Sequence, residues 1–228
     1  MKNNGERSLK SLNMTWLVLL AATDVLFVLL MVAPDLLNEV TLTQIGIGRI
    51  LITMVMPVVV LLIMNVLPHD VKSMLVYWRP LGVLPGCEAF TKYGPRDPRI
   101  DMAALKRNVG ALPTDSTEQN SKWYRLYRQV STEPEVQDAH KLFLMYRDMA
   151  ALSLPLVALV PLSLNVAGVS NSLLALAAGL FVVQYLLTAL SARWSGVRFV
   201  CNVLAIHSAR KIAAARASAP KQPGAKSS

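Results

Sequence analysis

Four apolar runs, each close to the length of a membrane crossing, constrain this 228-residue chain more than any other feature. They occupy residues 14–32, 45–67, 149–166 and 171–192. A hydrocarbon core of roughly 30 Å takes about 20 apolar residues in a helix. A backbone inside lipid must satisfy its own hydrogen bonds, and a helix does so within one segment. The expected fold is therefore an all-α membrane protein with four transmembrane helices. Lys2, Arg7 and Lys10 precede the first run, as in a signal peptide. That run is long for a signal h-region, however, and no small-x-small site follows before Pro34 and Asp35, so it reads as a retained helix.

Charge sets the orientation. The chain is 54% hydrophobic yet carries a formal net charge of +9, so its basic residues are concentrated between the runs. Three precede the first run, twelve lie between the second and third, and seven follow the fourth. The two remaining links have none. Lys and Arg in short flanks stay cytoplasmic, which places both termini and the 69–148 segment in the cytoplasm.

The expected organisation is an amino-terminal tail with spans one and two (1–68), a helical cytoplasmic module (69–148), spans three and four (149–192), a basic cytoplasmic helix (193–217) and a disordered tail (218–228). Within the module, "HDVKSMLVYWRP" prolongs the second span to headgroup depth, where Tyr77 and Trp78 suit the interface. "GPRDPRID" is turn chemistry, because a residue before proline avoids the helical region. Asp101 caps a short helix reaching Asn108, stopped by Gly110, and Asp115 with Glu118 opens another that runs to about Gln129. Thr132 and Glu135 have capping-box spacing, with Pro134 in the first turn, and the helix they open near Glu133 continues into the third span.

Within the spans, Asp24 is the first functional candidate, since an ionisable group inside a bilayer is expensive and usually paired. Its expected partner is Arg49, with Asp24 about 13 Å and Arg49 about 7 Å from the outer face at 1.5 Å per residue. The pair either fixes helix register or lines a pore. Asn165 and Gln184 are further polar candidates, and Gln184 sits on a helix of small residues suited to close packing and self-association. Pro155 and Pro161 remove backbone donors from the third span, which makes it either a hinge or simply a bent helix.

In "KWYRLYR", Trp123 and Tyr127 share a helical face, with Arg125 and Arg128 beside them. Aromatic and guanidinium groups so interleaved can stack bases and hold phosphates, and can equally be core and interface anchors. The acid-free stretch from Arg193 onward suits anionic lipid.

Cys87 and Cys201 fall on the reducing side, and with His69, His140 and His207 they lack metal-ligand spacing. No metal and no cofactor is expected. The chain has no P-loop, no GxSxG and no HExxH, so the expectation is that it is not an enzyme.

Four spans, minimal outer loops and a compact module between spans two and three resemble the small membrane effectors of nucleotide-triggered prokaryotic anti-phage systems, the Hailong-like channel subunits. That resemblance covers the layout of the whole chain. It implies a homo-oligomeric channel or membrane-disrupting effector of the bacterial inner membrane, taken as a tetramer, gated by a nucleotide or oligonucleotide at the module. The alternatives are a membrane adaptor docking a partner protein and a lipid-modifying enzyme.

Overall fold

The computed structural model describes residues 9–38, 55, 59, 60, 62, 67–79, 84–166 and 168–218. Among them every regular element is helical. In order these are α1 (Leu9–Asn38), α2 (His69–Tyr77), a 3₁₀ turn (Pro85–Glu88) running into a π-turn (Ala89–Tyr93), α3 (Gly94–Arg96), α4 (Met102–Val109), α5 (Ser116–Val130), α6 (Pro134–Val166) and α7 (Asn171–Ser218). Among the described residues, three helices are long and apolar enough to cross a membrane, over Asn13–Met31, Pro134–Val166 and Asn171–Ala209. The fourth expected crossing, 45–67, lies almost wholly outside the described residues, as does the tail after Ser218.

The chain forms two compact units, one of Met1–Val83 with Asp138–Gly196, the other of Leu84–Gln137 with Val197–Ser228. The α6 helix starts in the second unit and ends in the first, and α7 does the reverse.

The first unit is built on helical periodicity. Between residues 13 and 31 of α1, Asn13, Leu17, Ala21, Asp24, Val28 and Met31 are buried, spaced by three or four so that they share one face. Leu152, Leu156, Val160 and Leu164 form the matching ridge of α6, and Ala177 and Phe181 complete this core from α7. Phe27 meets Phe181 edge-on at 6.5 Å. The opposite faces carry exposed Trp16, Leu19, Leu26, Leu30, Leu176 and Leu187. Contiguous apolar surface of this kind is costly in water and is accepted by lipid, which is as apolar as leucine. The α6 helix runs unbroken through Pro155 and Pro161 and ends at Val166; Gly168, with a φ of 80°, lies in the turn before α7.

In the second unit the local caps form as expected. Asp101 accepts from the Ala103 and Ala104 N–H groups at 2.8 and 2.9 Å, opening α4, and Gly110 (φ 81°) closes it. Asp115 accepts from Thr117 and Glu118 at 2.9 and 3.0 Å, opening α5. Lys122 Nζ donates to the Val109 carbonyl at 3.0 Å and to that of Ala111, setting a cation at the carboxyl end of α4. The start of α6 differs from the expected Thr132 box. Pro134 is the first helical residue and the Glu133 carbonyl accepts from Gln137 N–H at 3.0 Å. Proline at the first position makes Glu133 the capping residue.

Gln119, buried, holds the π-turn. Its Oε1 accepts from the Phe90 and Thr91 N–H groups at 2.9 and 3.2 Å, and its Nε2 donates to the Thr114 carbonyl at 2.9 Å. A wide turn leaves amides without helical partners, and one side-chain amide answers them.

Candidate functional site

Asp24 is the one acid of α1 within its apolar stretch, and it is only 2% exposed. Its carboxyl is within hydrogen-bonding reach of Gln184 on α7, whose Nε2 also donates to Ser153 Oγ on α6 at 3.1 Å. Ser153 in turn donates to the Met149 carbonyl at 2.9 Å. Three helices thus meet at one polar cluster inside an otherwise apolar core. Asp24 Oδ2 has no hydrogen-bond partner among the described residues. A buried acceptor left unmade costs about 1–3 kcal/mol, and more when charged. Arg49, the partner expected from sequence, lies outside the described residues. Gln184 is a neighbour that the sequence did not pair with Asp24, and Ser153 joins the cluster only through Gln184. Asn165 is exposed at the end of α6 and does not join the cluster.

At 1.5 Å per residue, Gln184 stands about 20 Å and Arg193 about 33 Å along α7 from its first residue. The interval to Arg193 is close to the thickness of a bilayer core, and polar and aromatic contacts surround it. Arg193 Nε donates to the Val76 carbonyl at 2.6 Å. Tyr185 Oη donates to the Leu75 carbonyl at 2.6 Å and accepts from Trp78 Nε1 at 2.7 Å. These groups satisfy the carboxyl end of α2, where helical carbonyls lack partners. Nearby, Asp148 accepts from Arg147 at 2.9 Å and faces Lys72 Nζ at 3.4 Å, all three buried.

The α5 residues divide. Trp123 is buried, stacked on Tyr127 at 5.8 Å and edge-on to Phe199 at 5.1 Å. A Cβ on Gly86 would lie 2.8 Å from the Trp123 ring, so the glycine makes room for the indole. Trp123 is a core residue of the second unit and Tyr127 is half-buried against it, while Arg125 and Arg128 are exposed. Any ligand at this face meets the two arginines and exposed Tyr124 rather than a free indole.

A feature that sequence reading passed over is a cleft of about 550 Å³ beside the π-turn. Tyr93, Pro98 and Val197 provide its apolar lining, with Arg96, Asp97 and Arg99 on its polar side. Arg99 is fixed: it binds both Asp97 oxygens, the closest at 2.7 Å, and donates to Asn202 Oδ1 at 3.1 Å. This guanidinium beside Asp97 holds its carboxyl down to about 2. "GPRDPR" contains the residues, but nothing local announces that Val197 of α7 completes the lining.

Comparison of the chain with protein-family models, curated proteins and solved structures gives no match.

Proposed function

We propose that the chain is the subunit of a homo-oligomeric membrane channel or membrane-disrupting effector, gated through its cytoplasmic segment. The supporting observation is the Asp24–Gln184–Ser153 cluster, where a buried carboxyl oxygen lacks a hydrogen-bond partner among the described residues. Such a group favours any rearrangement that brings it water or a donor, and thus supplies a bias toward a second state. The core around it is filled by Leu156, Val160 and Phe181, so a conducting path in this reading forms between copies of the chain. The continuity of α6 and α7 through both units supports control of the membrane helices from the soluble segment. The setting is the bacterial inner membrane with both termini cytoplasmic, the assembly is taken as a tetramer, and a nucleotide-triggered anti-phage role follows from the resemblance of layout.

A second reading, a membrane adaptor, is favoured by exposed Tyr124, Arg125 and Arg128, which present an aromatic and basic face on α5. Ion flux through liposomes containing the purified protein separates the two. The channel reading expects flux; a stable complex with another protein and no flux under any condition supports the adaptor.

A further inference from the structure

We infer that the cleft beside the π-turn is a binding site for a small organic phosphate, anchored by Arg96. Three observations meet there. The first is the volume, about 550 Å³, which is the size of a small-molecule site. The second is its charge. Asp97 and Arg99 neutralise one another and hold each other still, whereas Arg96 is exposed and has no ion-pair or hydrogen-bond partner among the described residues. The cleft therefore presents one uncompensated guanidinium, a planar fork of donors that matches phosphate, next to a preorganised second one. The third is the backbone. The five-residue π-turn Ala89–Tyr93 delivers Tyr93 directly to the cleft, and such turns are rare and concentrated at functional sites. It is held open-ended by Gln119 and packed so closely that a Cβ on Gly94 would lie 2.9 Å from both the Ala89 carbonyl and Met102 Sδ.

The lining specifies the ligand class. Tyr93, Pro98 and Val197 offer apolar surface for a carbon skeleton, and Arg96 takes the charged end. A bare inorganic anion uses only half of this surface. As a trigger for gating, this ligand rests on the channel reading above; as a binding site it does not.

The test uses full-length protein in detergent and phenyl phosphate as the probe, followed by calorimetry, with inorganic phosphate, phenol and dihexanoyl phosphatidic acid for comparison. Phenyl phosphate is expected to bind saturably, more tightly than inorganic phosphate or phenol, and to weaken as salt rises. Arg96→Ala and Arg96→Glu should each weaken it about tenfold or more, the usual loss of a hydrogen bond to a charged group. Arg96 is exposed, so both variants retain the fold. Tighter, Arg96-dependent binding of the phosphatidic acid would support the same chemistry with a lipid headgroup as its source. No saturable binding of either organic phosphate, or binding equal in Arg96→Glu, overturns the proposal. Failure here with flux intact removes the site and leaves the channel reading standing; binding without flux does the opposite.

Discussion

The Arg193 guanidinium lies 3.7 Å from the centre of the Trp78 ring while its Nε holds the Val76 carbonyl at the end of α2. Trp78 pays for this position with a φ of 54°, a left-handed conformation uncommon for a bulky residue. The geometry combines a cation over an indole with a cation at a helix carboxyl end, each worth about 0.5–2 kcal/mol.

Arg193→Gln is therefore expected to loosen α2 by about 1–2 kcal/mol, the sum of the lost carbonyl contact and the lost ring contact. Hydrogen exchange over residues 70–78 reads this directly: protection should fall there and stay unchanged in α5. Unchanged protection at α2 would mean that Arg193 does not hold its end.

Gly196 gives a test with an inverted sign. Alanine in place of a helical glycine normally stabilises by about 1 kcal/mol. Here a Cβ would collide with Tyr77 Oη and press on the Phe143 ring at 3.1 Å. Gly196→Ala should destabilise by about 1–3 kcal/mol, the usual cost of overpacking, and Tyr77→Phe in the same background should recover part of the loss. A more heat-stable Gly196→Ala would contradict the packing.

Asp148 balances two buried cations, Lys72 and Arg147. Removing it takes this carboxylate from both, and Asp148→Asn should cost about 3–5 kcal/mol. Thermal unfolding in detergent measures this, and replacement of all three residues by apolar ones should cost less than the single change. A harmless Asp148→Asn would show that the charges are solvated.

The Asp97–Arg99 pair predicts a pH dependence. The folded carboxyl, at about 2, lies below its ordinary value of 3.8. Its stabilisation is thus present above the ordinary value and is lost as pH falls toward 2. Arg99 is half-exposed, so the loss is modest, about 1 kcal/mol or less. Asp97→Asn should be less stable than the natural chain at neutral pH and equal to it near the lower limit, followed by acid unfolding. A gap that persists at the lower limit would rule out the ion pair as its cause.

What the sequence made legible was local. Asp101 and Asp115 cap because their side chains reach amides two and three residues on, and the apolar runs announce themselves by length. Asp24 stood out because an acid in an apolar run is anomalous. Its contact with Gln184 was not legible, because residues on α1 and α7 meet only through the packing of their helices, which no spacing encodes. Trp123 and Tyr127 were correctly seen to share a face, but the burial of that face depends on Phe199 and Gly86 from other elements. The cleft stayed hidden for the same reason, since "GPRDPR" reads as turns until Val197 closes the lining.

The role of Asp24 in gating is read from ion flux in liposomes for the natural chain, Asp24→Asn and Asp24→Leu, beside the heat stability of each. Both changes remove the cost of burying a carboxyl group whose Oδ2 has no hydrogen-bond partner among the described residues. A channel biased by Asp24 gives flux in the natural chain, reduced flux in Asp24→Asn, little in Asp24→Leu, and a rise in stability as flux falls. Flux that is absent in all three, or equal in all three, would contradict it.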